Sequence, residues 1–265
     1  MFAKIDAENT FRIHCLGQWR SSQVQVTFSN RDYALPGDLP NRARQFWDEK
    51  LARGAQHLFN GALCRLDAFE ASSESLQLHL SRTCYRDLLF SNAHATEIIE
   101  SFGEQALVRA LGISVVIETA DGFLPLMRRS ASLGEGAGKI DVFGGHVHPD
   151  EHAKNGAPDI FYAIADETQA ELGLRAEQCG EFFCIGLLEN WQTRKPELVF
   201  ETKLKLTMEE LRAAASFAKE RGEYVEILAV PAGGKQVESF LQQNAPAFAS
   251  AGLGCLVLLG KLRQW

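Results

Sequence analysis

Glu167 and Glu171 stand four residues apart in the stretch "ADETQAELGL", and a glycine, Gly173, follows closely. On a helix, at about 100° per residue, Phe161, Ile164, Ala165, Thr168 and Leu172 form one stripe, and both glutamates fall on its flank. Two carboxylates so placed repel each other mildly unless a cation lies between them. Hard divalent cations such as Mg2+ take carboxylate oxygens, and waters and substrate phosphates complete the shell. The competing reading is an ordinary solvated helix end with a glycine stop. What favours the metal is the upstream stretch "GGHVHPDE", where Gly145 and Glu151 stand in G-x5-E spacing. The same stretch, with His152, carries His146, His148 and His152 as H-x-H-x3-H, a pattern suited to zinc or nickel. The sequence supplies no fourth ligand for that set.

Gly145, Glu151, Glu167, Glu171, Gly173 and Leu174 together resemble the Nudix box, G-x5-E-x7-R-E-U-x-E-E-x-G-U, in which U is aliphatic. Fourteen residues separate Glu151 from Asp166 where the box has seven. Asp166 stands in place of the Arg, Thr168 in place of the aliphatic residue, and Ala170 in place of a Glu. The segments "CYRDLLFSN", "DGFLPLMRRS" and "KIDVFGGH" extend the likeness over most of the chain. In that order they resemble the atypical Nudix proteins that hydrolyse UDP-glucose and UDP-galactose. The resemblance implies a Nudix-type α/β/α sandwich with a mixed sheet, preceded by a smaller α+β N-terminal domain. It also implies Mg2+-dependent hydrolysis (Mn2+ as a substitute) of a UDP-sugar to UMP and a sugar 1-phosphate.

The resemblance makes Glu167 and Glu171 the metal ligands and catalytic residues, and Arg129 a diphosphate contact. It assigns Asp141 and His146 to sugar hydroxyls or phosphate; His148, from the histidine cluster, is read as having a minor substrate role. Phe59 and Tyr85 match positions that line the nucleotide pocket, where an aromatic ring can stack on uracil. Arg86 and Asp87 read as a structural pair beside Tyr85. The general base stays open between Glu151, another acid such as Glu189, and hydroxide on the metal. The other readings are Nudix chemistry on ADP-ribose, a coenzyme A derivative or a nucleoside triphosphate, and a nucleotide-sugar-binding module without catalysis.

These residues need elements to position them. "QVQVTFS", "HLFNGALCRLDAF" and "SLQLHLSRTCYRD" read as strands and "LPNRARQFWDEKLARG" as a helix, giving an α+β unit over residues 1–100. Residues 101–265 form the second unit. There "ISVVIETA" and "FLPLMRRS" are strands joined by a "DG" turn, and "EFFCIGLLEN", "ELVFETKL" and "EYVEILAV" are further strands. Pro158 suits the first turn of the glutamate-bearing helix and Gly173 its stop. "TMEELRAAASFAKE" opens with Thr207 and Glu210 in capping-box spacing. The "GEGAG" loop lacks P-loop spacing and reads as a loop over substrate, with Gly134 a backbone contact.

Composition narrows the class. A net charge of −7 argues against a general nucleic-acid binder, because phosphate backbones are held mainly by Lys and Arg. Six cysteines show no C-x-x-C spacing, which excludes a zinc ribbon and suits a reducing cytoplasm. The apolar runs are too short to span a bilayer, so the expectation is a cytoplasmic protein whose partner is a small nucleotide sugar.

Overall fold

The computed structural model describes residues 10–54, 58–131 and 136–265. Strands β1 (Phe11–Trp19) and β2 (Val24–Asp32) precede α1 (Leu39–Ala52). Then come β3 (Ala62–Ala71), β4 (Leu76–Cys84), α2 (Tyr85–Ala93) and α3 (Ala95–Phe102). The chain continues through β5 (Gly112–Glu118), β6 (Phe123–Arg129), β7 (Ile140–Asp141) and β8 (Phe143–His146). A short pair, β9 (Ala153–Lys154) and β10 (Ala157–Pro158), leads into α4 (Ile160–Leu172). After it follow β11 (Phe183–Asn190), β12 (Pro196–Lys203), α5 (Met208–Ala215), β13 (Tyr224–Pro231), α6 (Gly234–Asn244) and α7 (Ser250–Leu262).

The central sheet has the order β1-β11-β12-β5-β8 and is mixed, since β12 runs parallel to β5 while the other pairs are antiparallel. Period-2 alternation sends its side chains to two cores. Ile113, Val115 and Ile117 of β5 and Leu198 and Phe200 of β12 join Ile160, Ala163 and Ile164 of α4. Val116 and Val199 point the other way, to Leu253, Leu256, Val257 and Leu259 of α7. The sheet is thus a slab between α4 and α7, the expected α/β/α arrangement. A second sheet, β13-β6-β7, flanks it, and β2-β4-β3 forms a third.

Strand β1 was not expected, although "FRIHCLGQW" alternates as a half-buried strand should. It pairs with β11, from Phe11 opposite Asn190 to Trp19 opposite Cys184. The expected division into residues 1–100 and 101–265 is therefore not a division of the core. Leu66, Leu76, Leu78 and Leu80 of β3 and β4 belong to the same apolar cluster as Ile113, Ile164 and Phe200. Backbone bonds join them too: Cys64 N–H donates to Val147 O and Leu111 N–H to Cys64 O, each at 2.8 Å.

Helices α2 and α5 begin or end away from the positions the sequence suggests. The strand through "SLQLHLSRTCYRD" stops at Cys84, and Tyr85 opens α2. The Thr207–Glu210 capping box forms, but α5 ends at Ala215 rather than running to Glu220. Glu220 N–H then donates to Ala170 O at 3.0 Å, which folds the following turn back over α4. Among the described residues no helix is long and apolar enough to cross a membrane.

Candidate active site

Helix α4 is held at both ends. Asp159 caps it, with Oδ1 accepting from the N–H groups of Phe161 and Tyr162 at 3.0 Å each. Pro158 lies outside the helix, in β10, so the cap and not the proline starts it. Gly173 ends it in the left-handed region, φ 64°, as a C′ glycine does.

Between these ends α4 lies along β8, and its two glutamates reach the backbone of that strand. Glu171 is fully buried, and its Oε2 accepts from Gly144 N–H at 2.8 Å. Its other oxygen, Oε1, is buried with no hydrogen-bond partner. Glu167 Oε1 accepts from His146 N–H at 3.4 Å. The carboxylate of Glu167 lies so close over Gly145 that a Cβ there would stand 2.4 Å from Oε1. The helical wheel placed both glutamates on a flank; the sheet's glycine-lined strand turns that flank into an interior.

Burial pushes the Glu167 carboxyl up to about 7, and Glu220 adds to it, against the His146 N–H. Burial holds Glu171 well above the usual carboxylate range, opposed chiefly by the Gly144 N–H, with Glu167 and Glu223 raising it further. Glu223 is raised as well, by burial and then Glu220. Glu220 and Glu223, from the turn after α5, are the acids that the sequence reading missed. The expected helix ran on past Ala215 to Glu220, and only the fold brings both acids to α4.

Arg129, at the end of β6, is the guanidinium that offsets these carboxylates. It lowers Glu171, Glu223 and Asp141 alike. Asp141 is turned inward rather than toward a substrate. Its Oδ1 accepts from Val142 N–H at 3.0 Å, its carboxylate also accepts from Gly252 N–H in the first turn of α7, and its Oδ2 lies 3.5 Å from Arg129 Nη1. Its geometry makes it a cap for α7 and a strut for Arg129.

The N-terminal residues meet the same strand. The Tyr85 ring stands edge-on to His146, with centroids 6.5 Å apart, and also contacts Trp47. Phe59 is 80% exposed beside Gly61, whose carbonyl accepts from Tyr85 N–H. Arg86 and Asp87 pair at 2.7 Å as the sequence indicated. Gly134 lies outside the described residues.

The histidine metal site does not form. His148 Nδ1 accepts from the N–H groups of Asp150 and Glu151 at 3.2 and 3.0 Å, and His152 Nδ1 accepts from His148 N–H at 2.9 Å. Each neutral ring therefore carries its proton on Nε2 and is a donor there. Coordination through Nε2 requires the opposite tautomer, with Nδ1 donating. Among the described residues no group of three or more His, Cys, Asp or Glu is placed to hold a metal. Of the two candidate bases, Glu151 is exposed, with Oε1 4.0 Å from His148 Nε2. Burial raises the Glu189 carboxyl, but His14, Arg109 and Arg12 more than reverse this and leave it below its usual range. A carboxylate held by those three groups, on β11, is a poor proton acceptor.

No family model matches the chain. The mouse (Mus musculus) uridine diphosphate glucose pyrophosphatase NUDT22 is 26% identical over 235 residues, covering 79% of this chain and 76% of its own. Nudix hydrolase 9 of Arabidopsis thaliana is 26% identical over 252 residues, covering 81% and 80%. Over about four fifths of its length the chain is thus similar to named Nudix-type hydrolases. The human (Homo sapiens) NUDT22 enzyme is similar at 25% over 237 residues, 78% of each chain.

Proposed function

We propose that the protein hydrolyses the diphosphate of a UDP-sugar, UDP-glucose or UDP-galactose, to UMP and a sugar 1-phosphate, with Mg2+ held by Glu167 and Glu171. The observation that carries this reading is the carboxylate pair, with Glu171 fully buried and Glu167 half-buried beside it. Glu171 Oε1 is buried without a donor, and burial raises both carboxyls. Such a pair is compensated by a cation with hard oxygen preference, which would replace the protons that the raised values favour. Two carboxylates leave room for waters and substrate phosphates, the usual surroundings of Mg2+. When bound, the ion would neutralise phosphoryl charge and acidify a water.

The chain's own groups take the remaining tasks. Arg129 offers two parallel N–H bonds to phosphoryl oxygens, and Asp141 fixes its direction. His148 presents Nε2–H to the diphosphate. Tyr85, with the exposed Phe59, supplies aromatic faces for the uracil. Glu220 and Glu223 add acids close to the pair, so the water's proton has acceptors that the box itself lost at Ala170. The oxygen of water bonds to phosphorus, the P–O bond to the bridging oxygen breaks, and the bridging oxygen leaves with the other phosphate. Attack at either phosphorus gives the same two products. The substrate choice rests on the relatives named for UDP-glucose.

Incubation with UDP-glucose and Mg2+ should yield UMP and glucose 1-phosphate in equal amounts, and EDTA should stop it. A panel with ADP-ribose, coenzyme A and nucleoside triphosphates decides between substrates; no turnover of any UDP-sugar refutes the proposal. Arg129→Lys keeps the charge but loses the planar fork. It should raise KM about tenfold, the scale of one charge-assisted hydrogen bond. A wild-type KM would remove Arg129 from the diphosphate.

A further inference from the structure

Beyond the backbone bond from Cys64 to Val147, the loop between β8 and α4 is tied to the N-terminal sheet by the Arg82 side chain. Arg82, on β4, donates from Nη1 to Asp150 Oδ1 at 2.9 Å and from Nη2 to Asp150 Oδ2 at 2.5 Å. Its Nη1 also donates to Asn30 Oδ1 of β2 at 2.9 Å, and its side chain is 20% exposed. Asp150 belongs to the turn that orients His148, since the N–H groups of Asp150 and Glu151 both point at His148 Nδ1. His148 N–H in turn donates to His152 Nδ1, and His152 Nε2 stands 3.8 Å from Asp166 Oδ2, next to Glu167 on α4. A continuous polar chain thus runs from the N-terminal sheet to the helix of the carboxylate pair. One planar guanidinium holding both oxygens of one carboxylate fixes orientation as well as distance.

We propose that Arg82 is a positioning residue: by clamping Asp150 it holds the turn that locks His148 with its proton on Nε2, aimed at the substrate diphosphate. The inference rests on the UDP-sugar reading for the substrate but not for the lock itself. Nothing in the Nudix box marks Arg82, which lies more than sixty residues before Gly145 in sequence. It acts through Asp150 and His148 and touches no reacting atom. The consequence is that the N-terminal sheet, besides lining a pocket, sets the geometry of a loop in the hydrolase half.

The test uses the full chain and the variants Arg82→Lys and Asp150→Asn, each of which keeps the size of its group while breaking the two-pronged bond. The first readout is the imidazole 15N shifts of His148 at pH 7.5. Wild type should show a single Nε2–H tautomer, and both variants a mixture of tautomers. The second is steady-state kinetics with UDP-glucose, where KM should rise about tenfold while kcat changes by less than about threefold, as for a lost binding contact. In a His148→Ala background Arg82→Lys should change KM no further, because the two substitutions remove one shared interaction. A locked His148 in both variants, a wild-type KM, or full additivity with His148→Ala overturns the proposal. If wild type turns over no UDP-sugar, the substrate reading fails, and the tautomer measurement still decides whether Arg82 holds the lock.

Discussion

Glu171→Gln will lose turnover by about a thousandfold or more and will also make the metal-free protein more stable at pH 8. The loss follows from the assigned role. A carboxylate that holds the metal contributes several kcal/mol of charge stabilisation through it, and each 1.4 kcal/mol is tenfold in rate. The gain in stability follows from the burial of Glu171 beside Glu167, with Oε1 lacking a donor. Both carboxyls are raised in the folded state, Glu167 to about 7 and Glu171 well above its usual range. Between the unfolded carboxyl value and those folded values, the native protein binds more protons than the unfolded chain. Stability therefore falls as pH rises through that window, and the contribution present below about pH 4.5 is gone for Glu167 above pH 7. For Glu171 the loss extends further upward.

Glutamine carries no charge and still accepts from Gly144 N–H, so Glu171→Gln removes the penalty without removing the bond. Neutral replacements of buried charges stabilise by about 2 kcal/mol, which is about 5 °C in Tm for a chain of this size. Thermal unfolding in EDTA should show that difference at pH 8 and little of it at pH 5, where wild type already carries the proton. Added Mg2+ should raise the Tm of wild type at pH 8 and leave the variant unchanged. A variant less stable than wild type at pH 8 would mean that Glu171 is compensated in the metal-free protein, and the site would not be waiting for a cation.

The contrast between residues shows how far the sequence carries. Glu167, Glu171 and Gly145 were legible because a helix and a strand are local objects, and spacing places their side chains relative to each other. The alternation of β5 and β12 was legible for the same reason, and with it the slab between two helices. The bonds that hold Asp141 were not legible because the N-terminus of α7, more than a hundred residues later, supplies its second donor. Glu220 and Glu223 were missed because the end of α5 at Ala215 is decided by tertiary contacts. Tyr224 makes some of them, donating its hydroxyl to Glu171 O at 2.9 Å and to Ala215 O at 3.5 Å. Against the histidine set, already short of a fourth ligand in the sequence, stands hydrogen-bond direction, which spacing does not encode: loop N–H groups occupy Nδ1 of His148 and His152.

Gly145→Ala should cost about a hundredfold in turnover while leaving the fold standing, and its neighbour explains why. At Gly144, φ is 149° and an added Cβ would stand 2.0 Å from the backbone oxygen of Ile113, within the pairing of β5 with β8. Alanine there disrupts the sheet. At Gly145 the three atoms nearest an added Cβ all belong to Glu167, with Oε1, Cδ and Oε2 at 2.4, 2.5 and 2.7 Å. Its φ is not positive, so the backbone accepts alanine and the side chain of Glu167 must yield. A displacement of about 1 Å in a catalytic constellation is enough for a hundredfold loss. Compensation separates this from misfolding: Glu167→Asp, one methylene shorter, draws the carboxylate back toward α4. The double variant Gly145→Ala/Glu167→Asp should regain activity over Gly145→Ala alone, measured as UMP release at saturating Mg2+. Wild-type turnover in Gly145→Ala would show that the carboxylate works from another position, and no recovery in the double variant would show that the loss came from the strand. The missing Cβ at position 145 is thus read as space reserved for the carboxylate of Glu167, with no part in bending the chain.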